Sequence, residues 1–276
     1  MNELVTEGVV LRQVDYKESD RILTLLTPEH GLITVSARGV RSIKSKNSPA
    51  VQLFSYSEFE LMQKNARYSL RTAYLKDGFF TLGSDIQRYA LACYIAQTLL
   101  HFCTEENNEV EPFRLVLNVF YALANTKEKP LSLIKAAYEL KLCTVCGFMP
   151  ELCCCAVCGK PLSHETVPDS GFLIDGKYRY SLMESGLICK SCYEKAHPPL
   201  SETSAYANAP MPKDYTRSLS ASAALAAHFV VTAPLSRFLS FRLHEADAVG
   251  LSELAEQNLL FLAERGFDTL KYYKSL

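Results

Sequence analysis

Between Gly8 and Lys76 apolar and polar residues alternate, in runs rich in β-branched and aromatic side chains. Alternation puts every second side chain on one face of an extended chain, so it predicts strands. Five are predicted, over Gly8–Val14, Asp20–Thr27, Leu32–Val40, Val51–Gln63 and Arg67–Lys76. Pro28-Glu29-His30-Gly31 joins the second to the third as a hairpin turn, because proline presets φ and glycine tolerates a positive φ. Five short strands with no helical pattern among them predict a small antiparallel barrel or sandwich. An OB-like barrel has this strand count and size, and an SH3-like barrel is its nearest competitor.

After Phe80 the apolar period lengthens from two residues to about 3.6, the period of a helix. Ser84-Asp85-Ile86-Gln87 has the form of a capping box led by Ser84, ahead of a stripe at Ile86, Tyr89, Ala90, Cys93, Gln97 and Leu100. Two more helices are predicted near Pro112–Ala124 and Pro130–Cys146. Each proline takes the first helical position, where a missing N–H costs nothing, and Gly147 ends the second helix. From Cys153 to Cys192 the helical period is lost, Tyr178–Leu182 supplies a strand, and Pro198–Pro212 is a polar linker by composition. Helical spacing resumes over Arg217–Val231 and Ser252–Arg265, the latter capped by Ser252 and stopped by Gly266. The organisation expected is a barrel over 1–80, a helical domain over 81–152 and 198–276, and a cysteine-rich insert over 153–197.

A length of 276 residues is about two domains' worth at ~100 to 200 residues each. With 48% hydrophobic and 21% charged residues, disorder is excluded as a global description. The most apolar segment, Ala221–Leu235, is interrupted by His228 and Pro234 and falls short of the ~18 residues that a membrane span needs, so no membrane partner is expected. The opening MNELVTEGVV carries Glu3 and Glu7 and no basic region before an apolar stretch, so it does not read as a secretory signal. A cytoplasmic location is expected. In a reducing cytosol, ten cysteines point to metal thiolates more than to disulfides.

Cys155-x2-Cys158 and Cys189-x2-Cys192 have the two-knuckle form of a structural zinc site, since each turn presents two thiolates to one tetrahedral ion. Gly159 after the first pair and Leu187-Ile188 before the second suit a short hairpin between the halves. Cys143-x2-Cys146 shares the spacing but continues the apolar stripe Leu133, Ala136 and Leu140, where cysteine acts as a small hydrophobe. Cys153 and Cys154 lie outside the pairing distance and read as bystanders. A catalytic zinc would keep an open position and usually include His or a nearby general acid or base, whereas four thiolates close the metal shell. The deaminase pattern and the glycine-rich phosphate loops are absent, and His101, His197, His228 and His244 are scattered, so no catalytic residue is expected.

With 29 Lys plus Arg against 30 Asp plus Glu, the net charge of -1 gives no general affinity for polyanions. The distribution changes that picture. From His30 to Ser57 there is no acidic residue, while Arg38, Arg41, Lys44 and Lys46 follow the third strand and run into Asn47-Ser48-Pro49. Such a cluster matches the charge lattice of a phosphate backbone. Lys17 and Arg21 are expected to assist, and Tyr16, Phe54, Tyr56 and Tyr68 are either stacking platforms or barrel core.

EGVVLRQVDYKESDRILTLLTPEHGLITVSARGVRSIKS, with its Asp20-Arg21, Thr27-Pro28, Gly31 and A-x-G-x-R-x-x-K-S run, resembles the amino terminus of the RecO family of bacterial recombination mediators. MPELCCCAVCG is similar to that family's first knuckle, Cys189 and Cys192 match its second, and AERGFDTLKYYKSL is similar to its ending. Cys143-Thr144-Val145-Cys146 departs from the family, which has apolar residues there. The resemblance implies an α+β chain: a five-stranded OB-fold barrel, then an α-helical domain with an embedded four-cysteine zinc finger holding one structural Zn2+. It further implies binding to single- and double-stranded DNA without ATPase activity, and a nucleoid-associated location. Annealing of strands coated by single-stranded DNA-binding protein (SSB), and cooperation with RecR to load RecA at gaps, are implied as well. Arg237, Arg242, Lys271 and Lys274, lying among Phe238, Phe241, Leu270 and Tyr272, are the candidates to hold the acidic, apolar-ended SSB tail. A zinc-ribbon and barrel protein binding structured RNA in transcription or translation is the rival reading, and a metalloenzyme with an exchangeable water is a weaker third.

Overall fold

A computed structural model of the chain describes residues 2–65, 67–105, 107–126, 128–163, 169–197 and 215–276. It divides into two compact units, one running from the amino terminus to Ile134 with Arg265–Leu276, the other Lys135–Glu264. The predicted linker Pro198–Pro212 lies outside the described residues.

The first unit begins with β1 (Asn2–Tyr16), β2 (Asp20–Thr27), β3 (Gly31–Ala37), β4 (Tyr56–Lys64) and β5 (Arg67–Asp77). They close into a barrel of order β1-β2-β3-β5-β4, with β1 returning to pair with β4 and a short parallel contact between β3 and β5. This order is that of an OB-fold and removes the SH3-like alternative. Alternation works as expected: in β4, Ser57, Phe59 and Leu61 point inward while their neighbours are half-buried. Phe59 joins Val10, Leu23, Leu25, Ile33 and Val35 in the barrel core.

Two strand predictions ran too long. The third strand ends at Ala37, and the fourth starts at Tyr56, because Pro49–Val51 forms a 3-10 turn that seats Ala50 and Val51 in the barrel. The hydroxyls of Ser55 and Ser57 both donate to the Ala50 carbonyl at 2.8 Å, which fixes that turn. Phe54, at φ 70, is directed outward against Tyr89 and Phe120, at ring distances of 5.5 and 5.2 Å.

These two rings belong to α1 (Ile86–Phe102) and α2 (Val110–Asn125), which pack against the barrel within the same unit. The cap of α1 is Asp85, one residue later than predicted; its carboxylate accepts from the N–H groups of Gln87 and Arg88, and Ser84 donates instead to the Thr81 carbonyl. Pro112 is the third residue of α2 and Pro130 just precedes α3 (Leu131–Val145), so neither opens its helix. Both remain where N–H groups have no helical acceptor, which is why the proline signal located the starts to within two residues. α7 (Asp268–Lys274) lies on α1, with Phe267 packed edge-on to Tyr94 at 5.9 Å.

The second unit holds the rest of α3, β6 (Tyr178–Ser181), β7 (Gly186–Ile188), α4 (Lys190–Ala196), β8 (Thr216–Leu219), α5 (Ala221–Thr232) and α6 (Glu245–Ala263). Gly147, at φ 88, closes α3, with the Phe148 N–H reaching back to the Cys143 carbonyl at 2.7 Å. The predicted helix from Arg217 starts only after Ser220, which caps it; Thr216–Leu219 instead pairs with β6. The last long helix begins at Glu245, so Ser252 is interior, and Glu264 at φ 53 takes the left-handed stop expected of Gly266.

The interior of this unit is more polar than the apolar stripe of α3 implies. Lys135 lies 2.8 Å from both Glu139 and Glu256, and Lys141 donates to the carbonyls of Val231 and Ala233 at the end of α5. Tyr180 donates to Asn258 at 2.7 Å, and the Asn258 amide reaches Cys143 Sγ at 3.7 Å.

Candidate metal centre and nucleic-acid interface

The four thiols of Cys155, Cys158, Cys189 and Cys192 converge, with all sulfurs within 4.8 Å of one another. Local chain chemistry brings each pair together. Gly159 at φ 72 lets the chain turn back after Cys158, with its N–H on the Cys155 carbonyl, while the Cys155 N–H bonds to the Lys160 carbonyl at 2.8 Å. The second pair leaves β7 directly: Cys189 is the residue before α4 and Cys192 lies in its first turn. The Ala156 N–H bonds to the Leu187 carbonyl at 2.8 Å, docking the first knuckle on the hairpin strand that carries the second.

The donor set fits zinc. A tetrahedron with metal–sulfur bonds of ~2.3 Å has edges of ~3.8 Å, and Cys158 Sγ lies 3.7 Å from Cys189 Sγ. Burial raises the Cys155 thiol, but backbone N–H groups of Cys189, Cys158 and Val157 outweigh it and hold it at about 7. Burial and the neighbouring thiols push Cys192 up to about 12. Four thiolates this close need a cation among them, which a bound divalent ion would supply. The four cysteines are thus placed to hold a metal ion such as zinc, and they form the one such cluster found among the described residues.

The other cysteines stand apart. Cys143 is fully buried, and its thiol is pushed up to about 12, chiefly by burial. Exposed Cys153 lies 3.3 Å from His228 Nε2, and the Cys154 backbone pairs with that of Pro161 in an isolated β-bridge.

The cationic segment leaves β3 at the barrel end that also carries the β1–β2 turn. Gly39 N–H bonds to Asp20 Oδ1 at 2.8 Å, and Arg41 reaches the turn twice, from its N–H to the Ser19 carbonyl and from its guanidinium to the Lys17 carbonyl. Lys17 and Asp20, the residue before Arg21, are therefore bonded to the loop. Lys17, Arg38, Arg41, Lys44 and Lys46 are exposed; Arg21 is half-buried. Of the aromatic candidates, Tyr16 is 49% exposed with the Lys17 ammonium 5.4 Å from its ring, whereas Phe54 is core and Tyr56 is half-buried, donating to Glu7. Tyr68 is half-buried beside Gln63.

Asp15 is the residue that sequence reasoning missed here. Its carboxylate lies 2.9 Å from Arg21 and 3.4 Å from Arg41, and the Arg21 hydrogen bond, with Arg41 beside it, holds Asp15 below the usual carboxylate range. The charge cluster is free of acids in sequence but not in space. The signal was available in the hairpin register, which sets Asp15 directly opposite Arg21.

Arg237 and Arg242 are exposed in the second unit, between α5 and α6, while Lys271 and Lys274 lie on α7 in the first. Phe238 and Leu270, expected beside them as docking surface, are buried core; Phe241 is half-buried near Phe229, and Lys271 pairs with Asp268 at 2.9 Å.

Residues 1–79 match the family described as Recombination protein O N terminal, and residues 83–209 match Recombination protein O C terminal. The chain belongs to the RecO family. A DNA repair protein RecO from Acetivibrio thermocellus is 26% identical over 276 residues, covering 100% of this chain and 98% of that protein. Its counterpart from Alkaliphilus metalliredigens is 34% identical over 188 residues, 68% of this chain and 71% of its own, and that from Dehalococcoides mccartyi is 32% identical over 194. The amino-terminal RecO match ends two residues after β5, and the carboxy-terminal RecO match takes in both knuckles. Among the described residues no helix is long and apolar enough to cross a membrane.

Proposed function

We propose that this protein is a DNA-binding recombination mediator of DNA repair, which anneals complementary single strands coated by SSB and, with RecR, promotes RecA loading at gaps. The observation that carries the reading is the OB-fold barrel of a RecO-family chain gathering Lys17, Arg21, Arg38, Arg41, Lys44 and Lys46 at one end. Phosphates of single- or double-stranded DNA replace counterions on these side chains. Annealing needs strands held side by side and no covalent bond made or broken, so the work is done by binding, without nucleotide hydrolysis, at the nucleoid. Cys155, Cys158, Cys189 and Cys192 would hold one structural Zn2+, which would tie the two knuckles to each other.

The SSB tail docks outside the barrel, its carboxylates on Arg237 and Arg242 beside Phe241. Arg242→Glu in the full chain is expected to weaken binding of a tail peptide and to spare naked DNA; an unchanged peptide affinity removes this placement. The deciding experiment is annealing of SSB-coated complementary strands without ATP, with folded RNA as competitor. Annealing that single-stranded DNA inhibits and folded RNA does not supports the reading, and a preference for folded RNA overturns it.

A further inference from the structure

The cationic loop holds one apolar side chain in the open. Ile43 is 104% exposed, whereas the next most exposed large apolar residue among those described, Phe80, reaches 68%. The chain around it is held in place. Ser45 N–H bonds to the Ser42 carbonyl at 2.9 Å, which puts Ile43 at the second position of a closed turn, and Ser42 N–H in turn bonds to the Gly39 carbonyl at 3.2 Å. Asp20 ties one end of the loop through the Gly39 N–H, and Asn47 ties the other, accepting from the Ala73 N–H at 3.1 Å and donating to the Arg71 carbonyl at 3.4 Å.

Exposed Arg41 and Lys44 flank the isoleucine on either side. A positioned apolar side chain between two cations is complementary to a gap between two stacked bases with phosphates to either side. Its β-branched stem has little rotamer freedom to lose on insertion. Proteins that unstack DNA use apolar wedges of this kind.

We propose that Ile43 inserts between neighbouring bases of bound DNA and unstacks them while the flanking cations hold the phosphates. The inference rests on the loop being the DNA contact, and it adds a mechanism: a strand held unstacked presents its base edges for pairing.

The test uses the full chain and a single strand of adenines carrying one 2-aminopurine, whose fluorescence stacking quenches. Binding of the unaltered protein is expected to raise that fluorescence. Ile43→Ser, at a fully exposed position, is expected to remove most of the rise and to weaken binding about fivefold with the salt dependence unchanged, whereas Ile43→Met keeps both. Full rise and full affinity in Ile43→Ser overturn the wedge. Replacing the four loop cations by glutamine separates the two ideas. A lowered salt dependence with a silent Ile43→Ser removes only the wedge, and an unaltered salt dependence removes the DNA reading of the loop and the wedge with it.

Discussion

The cysteine cluster and the cationic loop each gather four groups of one charge sign, and the fold treats them in opposite ways. The sulfurs lie within 4.8 Å of one another, with Cys155 and Cys189 buried, while the loop cations spread over an exposed turn and only Arg41 among them shares Asp15 with Arg21. Like charges packed together out of water do not stay ionised unaided, which is why Cys192 is pushed up to about 12. Exposed cations are screened by water and salt and keep their charge without help. The first arrangement therefore calls for a resident ion and the second for an exchangeable polyanion. One should answer to chelators and acid, the other to ionic strength.

The largest expected effect falls on the first. Because a structural ion in small zinc domains supplies ~10 kcal/mol or more of folding free energy, Cys158→Ser should lose both metal and the folded second unit, read by metal analysis and circular dichroism. Cys143→Ser should keep its full metal content; equal loss in both variants would break the contrast between knuckle and core. The knuckle cysteines and Cys143 should also differ in the direction of their pH sensitivity. Falling pH protonates the knuckle thiolates and releases metal. Cys143 works the other way: its thiol is raised from 9.0 to about 12, so the stability it contributes is complete below about pH 9 and is lost as pH rises through about 12. That loss is at most about 4 kcal/mol, and denaturation of Cys143→Ala should show a shallower alkaline decline. A residual slope should remain, because Tyr180 is raised as well, chiefly by burial.

For the loop, replacing Arg38, Arg41, Lys44 and Lys46 by glutamine should reduce the log-log salt slope of DNA binding by roughly 3 to 4, as four phosphate contacts require. An unchanged slope would move the contact elsewhere. The smallest effect is the most specific to this fold. Asp15→Asn releases Arg21 and Arg41 from an exposed ion pair, so DNA affinity should rise about two- to fivefold at low salt. Weaker binding in that variant would mean that Asp15 positions the guanidiniums more than it offsets them.

The comparison also separates what was legible in the chain from what was not. The knuckle spacing named the four cysteines that converge because each C-x2-C turn is local: Gly159 and the start of α4 bring two sulfurs together whatever the rest of the unit does. Strand alternation likewise located all five barrel strands, since facing is a property of the extended backbone. Element ends were less legible. Asp85 displaced Ser84 as cap, the Pro49–Val51 turn shortened the fourth strand, and residues 217–219 left a helical-looking run to pair with β6. In each case two local solutions were close in energy, and a hydrogen bond or a buried surface from elsewhere in the unit chose between them.

Sequence by itself determined the barrel, the helical segments, the four knuckle cysteines and the cationic run, because periodicity and short spacings act through neighbouring residues. Tertiary structure alone decided that Arg41 reaches Asp15, that Lys135 is enclosed by Glu139 and Glu256, and that Ile43 stands bare on a braced turn. Coulomb energy and desolvation depend on distance and on access to water, neither of which is written in the order of residues along a chain.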